Sequence, residues 1–219
     1  MAGPALADGP VVVELFTSQG CAACPPADAL LGELAGRDDV IALALHVDYW
    51  DYIGWEDTFA DPAFTARQHG YAHSAGSTVV YTPQMVVGGV DHVGGHRPMQ
   101  VADSIAAHRA APDPVEVVAE VTDTGWQVRA TWTGAEAEMP PMVVQVVTFV
   151  PEEHVEITRG ENAGLTTVYH NIVQSWQAVA EWSGTDTFDA QVIPTGDMRH
   201  VVIVQATDHG AIMGAARLD

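Results

Sequence analysis

Apolar residues follow two different rhythms along this chain. From Val11 to about Ala110 they form short continuous runs that alternate with helix-spaced stretches, whereas beyond Val115 they alternate residue by residue between turns. Val11-Val12-Val13-Glu14-Leu15-Phe16 predicts a central strand, and Val40-Ile41-Ala42-Leu43-Ala44-Leu45-His46-Val47 predicts a second, buried parallel strand. Between them, Pro25 to Leu34 predicts a helix with proline in its first turn and Leu30, Leu31 and Leu34 at helical spacing. Ala63 to Ala75 predicts another helix, entered through Asp61 as cap and Pro62 in the first turn. Gln84-Met85-Val86-Val87, the Gly88-Gly89 turn and Val90-Asp91-His92-Val93 predict a hairpin, and Pro98 to Arg109 a closing helix. The order is β-α-β-α-β-β-α.

Ala110-Ala111-Pro112-Asp113-Pro114 breaks this order and reads as a linker. Beyond it, eight strands are expected: Val115–Val121, Gln127–Trp132, Val143–Val150, Val155–Thr158, Thr167–Val179, Thr187–Ile193, His200–Ala206 and Ile212–Leu218. Thr167–Val179 is long enough to hold a helical turn as well. The expected architecture is therefore an α/β domain over residues 9–111, followed by a mostly antiparallel, β-sandwich-like domain over residues 113–219.

Composition narrows the chemistry. Of 219 residues, 47% are hydrophobic and 17% charged, which fits a folded chain. The formal net charge is −21 and all eight basic residues are arginines. Nucleic acid is excluded as a partner, because phosphate neutralisation needs a basic face. The absence of lysine excludes Schiff-base chemistry and a Walker-type phosphate loop. The longest apolar runs are strand-length, so no membrane span is expected. The start carries no signal-peptide pattern, although Ala5-Leu6-Ala7 fits the residue of a leader cleavage site and would suit a trimmed periplasmic or secreted protein.

The two cysteines lie three apart, at Cys21 and Cys24, on the turn between the first strand and the first helix. A bridge over that spacing closes almost no loop, so stability is a poor reason for it. Two cysteines do not fill a tetrahedral zinc site; His46 and His92 are available to complete one, but neither has the paired spacing of a zinc finger. The spacing and its setting point to a thiol–disulfide redox centre.

The strand and helix order, the dithiol on the first β-α turn and Thr82-Pro83 before the third strand together resemble the thioredoxin fold. The resemblance implies a cis-proline at Pro83 packed against the dithiol, Cys21 as nucleophile and Cys24 as resolving thiol. It also implies a partly exposed Cys21 at a helix N-terminus and a covered Cys24. Ala22-Ala23 between the cysteines and Gly20 before them differ from thioredoxin itself, and these positions tune the reduction potential. A second resemblance covers nearly the whole chain. Val13 to Cys21, His46 to Tyr52, Tyr81 to Gln84 and Arg159 to Gly164 are similar to a bacterial family of thioredoxin-like proteins of unknown function, often predicted to be secreted. It implies a thioredoxin-like domain joined to a β-rich one.

Asp48 to Trp55 follows the second strand and should emerge beside the cysteines. Tyr49 and Trp50 there, with Thr82 and His46, are the candidate substrate-binding residues; the alternative is that the aromatics pack beneath the second domain. His46 or Arg67 would supply any side-chain positive charge to the Cys21 thiolate, although a histidine on an apolar strand is more often a core residue. Arg159 to Gly164 is a turn by composition, with the alternative that it reaches across to cover the dithiol. Tyr169-His170-Asn171 is expected to hydrogen-bond between the domains.

The reading is a thiol–disulfide oxidoreductase acting on a protein or small-molecule thiol or disulfide. It needs no cofactor beyond a redox-active Cys21–Cys24 disulfide and no metal. The alternatives are a copper-binding or carrier module and a non-catalytic interaction protein.

Overall fold

Val11–Thr17 (β1) and Val40–His46 (β2) are buried at every residue, because both faces of these strands are covered. The computed structural model describes residues 9–111, 113–194 and 196–218; Ala5-Leu6-Ala7 lies outside them. β1 runs parallel to β2 and antiparallel to β3 (Gln84–Val87), which turns back through a hairpin into β4 (Asp91–Gly94). Successive β1 side chains point to opposite faces. Val11, Val13 and Leu15 meet α1 (Pro25–Ala35) and α3 (Pro98–Arg109), while Val12 and Phe16 face α2 (Pro62–Ser74). Asp61 caps α2 by accepting the Ala63 N–H at 2.8 Å.

Among the described residues the second half forms seven strands: β5 (Val115–Thr122), β6 (Gly125–Trp132), β7 (Met142–Glu156), β8 (Thr166–Trp182), β9 (Phe188–Val192), β10 (Arg199–Ala206) and β11 (Ile212–Leu218). Two of the expected short strands are one. β7 runs straight through Pro151, a residue that reads as a break in sequence. The pairing shows why. Val150 lies opposite Ile172 and Glu152 opposite His170, so Pro151 faces Asn171, where no ladder pair forms and no N–H is required. Thr167–Val179 holds no helical turn and is the middle of β8.

The two halves share one sheet of eight strands, in the order β11-β10-β7-β8-β2-β1-β3-β4. The joint is the parallel bridge between Ala44 of β2 and Ile172 of β8. Beside it, Asn171 takes a left-handed φ of 49°, and its side-chain amide donates to the Ala42 carbonyl at 2.8 Å. The smaller sheet, β5-β6-β9, covers the far half of the large one through Val115, Val128 and Ala130 against Val144, Val202 and Val204. The boundary between residues 111 and 113 is thus a change of layers, with the large sheet continuous across both segments.

A buried ion pair ties the halves together. Glu14, fully buried in β1, accepts two hydrogen bonds from Arg67 of α2, at 2.6 and 2.9 Å. Tyr71 also donates to Glu14, while Gln205 of β10 accepts from Arg67 at 3.1 Å. The Trp176 ring of β8 lies 3.6 Å from the guanidinium carbon. Arg67→Ala leaves the carboxylate buried without a counter-charge, and urea denaturation should register a loss of about 3–5 kcal/mol. A loss within experimental error of zero would show that Glu14 reaches solvent or holds a proton.

Candidate functional site

Cys21 and Cys24 are joined by a disulfide across a tight turn, with Cα atoms 5.4 Å apart. The Cys21 N–H donates to the Ser18 carbonyl and the Cys24 N–H to the Cys21 carbonyl, both at 3.1 Å. Cys24 caps α1, Pro25 and Pro26 open it without an N–H to satisfy, and the Ala27 and Asp28 N–H groups donate to the Cys24 carbonyl at 2.8 and 3.1 Å, so the pair sits at the positive end of the helix dipole. Both cysteines are covered. Cys24 is fully buried, and Cys21, expected to be partly exposed, is only 3% exposed, while Ala22 and Ala23 face solvent.

The expectation for Cys21 fails because of a contact from the second half. The loop between β7 and β8 is a turn, as its glycines and asparagine require, and it also reaches the dithiol. Asn162, itself buried, donates to the carbonyls of Gln19 and Cys21, both at 2.9 Å. Gly160, at a left-handed φ of 78°, brings this loop against Gly54 and Trp55, where an added side chain would meet Trp55 Cβ at 3.1 Å.

The aromatic segment lies on the same edge. The Trp50 indole donates to Thr82 Oγ1 at 2.7 Å, and the Trp55 indole to Gln19 Oε1 at 2.7 Å. The Tyr49 hydroxyl donates to Gln68 Oε1 at 3.0 Å, and burial pushes it up to about 12, against the lowering effect of bonds to Gln68 and Thr82. Tyr49 and Trp50 also pack on the core beneath α2, and Tyr52 stands free in solvent. The Thr82–Pro83 peptide is cis. Pro83 and Ala27 of α1 approach the same point: a side chain at Gly95 would meet both, at 2.8 and 2.9 Å. Pro83, Thr82, Trp50 and the dithiol turn therefore share one end of the sheet.

His46 is a core residue. Its Nδ1 lies 2.7 Å from Asp57 Oδ2, and its ring meets Phe59 and Tyr169 edge-on. The Gln19 N–H also donates to Asp57 Oδ2, at 2.7 Å. Below the dithiol, Asp28 of α1 accepts from Thr17 Oγ1 at 2.7 Å. Arg67, the other expected source of positive charge, is committed to Glu14. His92 sits on β4 against Tyr71, away from any zinc arrangement with the cysteines, and burial lowers its pKa. Among the described residues, no group of three or more His, Cys, Asp or Glu side chains is placed to hold a metal ion, and no helix is long and apolar enough to cross a membrane.

Residues 12–205 match the sequence pattern of a family described as "Protein of unknown function (DUF1223)". The chain belongs to this family. A protein from Agrobacterium tumefaciens, known from its X-ray crystal structure, is 32% identical over 98% of this chain and 96% of its own, with a TM-score of 0.80. HBP35 of Porphyromonas gingivalis is 15% identical over 96% of this chain and 74% of its own, with a TM-score of 0.67, a likeness of fold. No curated protein matches the chain.

For this DUF1223 member, sequence reasoning missed Asp28 and Asp57. Asp28 had a signal, because Cys24, Asp28 and Leu31 fall on one helical stripe whose other members are apolar. Asp57 had none, since it lies in an irregular loop. Burial pushes the Asp28 carboxyl up to about 7; attraction to His46 and the Thr17 hydrogen bond oppose that rise, and the Asp57 charge adds to it.

The raised value has a sign for stability. Native Asp28 holds its proton up to about pH 7, while the unfolded chain loses it near about 4. Its contribution is complete below the unfolded value and disappears as pH rises through the native one. Thermal denaturation of Asp28→Asn should therefore show a Tm that gains on the unsubstituted protein between about pH 4 and pH 8. A pH-independent difference would place the carboxyl in the ordinary range. Asn162→Ala should expose the turn and speed reduction of the disulfide by dithiothreitol severalfold; an unchanged rate would show that the loop does not restrict access.

Proposed function

We propose that this chain is a thiol–disulfide oxidoreductase with a thioredoxin-like first half, in which Cys21 is the nucleophile and Cys24 the resolving thiol. The observation that carries this is the Cys21–Cys24 disulfide at the start of α1, at the same end of the sheet as the cis Thr82–Pro83 peptide. The element order β-α-β-α-β-β-α and the strand order β2-β1-β3-β4, with β3 and β4 antiparallel, support the thioredoxin-like reading.

In the dithiol form, the Cys21 thiolate attacks a substrate disulfide. One substrate sulfur leaves as thiolate and a Cys21–substrate disulfide forms. Cys24 then loses its proton and attacks Cys21 Sγ, closing the protein disulfide and releasing the second substrate sulfur. The substrate gains two electrons and the dithiol loses two; oxidation of a substrate dithiol is the reverse. With His46 held by Asp57 and Arg67 by Glu14, the α1 dipole is the stabiliser invoked for the Cys21 thiolate, since Pro25 and Pro26 carry no N–H to donate. Thr82, Pro83, Tyr49 and Trp50 are the residues that would contact a protein or small-molecule disulfide; the Trp50–Thr82 hydrogen bond and the packing of Trp50 beside Gly20 support this for Trp50 and Thr82. A net charge of −21 slows encounter with anionic thiols.

A Cys24→Ser variant should accumulate mixed disulfides through Cys21, visible as thiol-labile adducts by mass spectrometry, and Cys21→Ser should not. If neither variant traps a partner under oxidising or reducing conditions, the proposal fails. A reduction potential of the pair near about −270 mV would mark a reductant, and one near about −120 mV an oxidant.

A further inference from the structure

Past its joint with β2, the outer edge of β8 runs free. Ala44 and Ile172 form the bridge between those strands, and among the described residues 174–182 pair only with β7. No described turn or loop makes a backbone hydrogen bond to that stretch. Gln174 and Val179 have no opposite residue on β7, so two bulges bracket a regular run over residues 175–178. Residues 171–180 include neither proline nor a charged side chain, the usual devices that keep an exposed edge from pairing.

A groove of about 530 Å3 follows this edge. Gln174, Ser175, Trp176 and Gln177 all line it. Successive strand side chains point to opposite faces, so four in a row line one groove only where it runs along the strand's edge. The rest of the lining comes from the start of α2, between Asp61 and Arg67, and from His209 on the β10–β11 turn.

The polar groups of the groove are of two kinds. Arg67 gives its Nε and Nη2 to Glu14, which balances its charge. Among the described residues no hydrogen bond falls on its Nη1, which the planar guanidinium directs away from Glu14 as a donor for a neutral carbonyl. Burial and the Arg67 charge lower the His209 pKa, against Glu14 and Asp208, so its ring is neutral at neutral pH and repels no cation. Asp61 is the opposite case. It is exposed, one oxygen caps α2 through the Ala63 N–H, and among the described residues it has no ion pair. Six helical residues separate Asp61 from Arg67, about 9 Å along α2, which is the reach of about three extended residues.

We propose that the groove between β8 and α2 docks an extended, basic polypeptide segment, which adds a strand to residues 175–178. Main-chain pairing supplies the affinity in this mode, and alternate side chains supply the selectivity. A lysine, an arginine or a free N-terminus of the segment meets Asp61, one of its backbone carbonyls accepts from Arg67 Nη1, and its side-chain stems lie on Trp176. The net charge of −21 attracts such a segment. It also disfavours a second copy of this chain, which would bring the same charge to the same edge. The dithiol takes no part in the docking, so the proposal stands apart from the exchange chemistry.

The test is a titration of the full chain, in its disulfide form, with the peptide Lys-Val-Lys-Val-Lys-Val, followed by amide NMR spectra and calorimetry. Shifts should concentrate at residues 174–178, along the start of α2 and at His209, and amides at 175–178 should gain protection from hydrogen exchange. Glu-Val-Glu-Val-Glu-Val should not bind. Asp61→Asn keeps a good helix cap and removes the charge, so the Kd should rise about twofold to fivefold and depend less on salt. Gln177→Lys sets a like charge on the edge and should weaken binding at least as much.

Shifts scattered over the acidic surface without protection at 175–178 would overturn the proposal. Equal binding of the acidic peptide, or no shift at millimolar basic peptide, would do the same. Protection at 175–178 that grows with protein concentration alone would also overturn it, by marking a second copy as the occupant.

Discussion

A carboxylate in the middle of a strand buried on both faces cannot be left alone, and Glu14 is that carboxylate. Desolvation would cost several kcal/mol unless a counter-charge arrives with good geometry. Arg67 arrives from α2 and binds both oxygens, Tyr71 and Gln205 complete the shell, and Trp176 closes over the guanidinium. Such a pair adds little net stability over apolar packing, but it admits one arrangement of its neighbours. Here it pins β1, α2, β8 and β10 at a single point. Slipping β1 by one residue would turn Glu14 onto the α1 face, where its partner is absent.

From that joint the geometry of the site follows. β8 lies beside β2 through Ala44 and Ile172, with Asn171 replacing a ladder bond by its side chain. The loop that precedes β8 is thereby carried to the end of the sheet where α1 begins. Asn162 lands on the Cys21 carbonyl, and Tyr169 lands on His46. The second half thus acts on the dithiol from both sides, covering the turn above and sealing the polar cluster below. The seal is what raises Asp28, since burial is the largest contribution to its shift.

Much of this was legible in the chain. Continuous apolar runs marked β1 and β2 because a strand covered on both faces has no polar side to show. Proline in the first turn marked the starts of α1, α2 and α3, where its missing N–H costs nothing. Spacing alone placed Cys21 and Cys24 on the strand-to-helix turn. Strand lengths in the second half were less legible. Pro151 signals a break, and whether a strand continues through it depends on whether its neighbour needs the absent N–H. Asn171 removes that need from twenty residues further along the chain.

The sequence by itself therefore determined the local elements, the position of the two thiols and the chemistries that a lysine-free, acidic chain excludes. These depend on spacing, covalent geometry and residue type, which any short window contains. Only the tertiary structure decided that both halves share one sheet, that Cys21 is covered, that Arg67 serves Glu14 and that Asp28 lies under the dithiol beside His46. Each of these is a matter of burial and of which group meets which across long stretches of chain. Desolvation and pairing act through space, and they leave no period in the sequence to read.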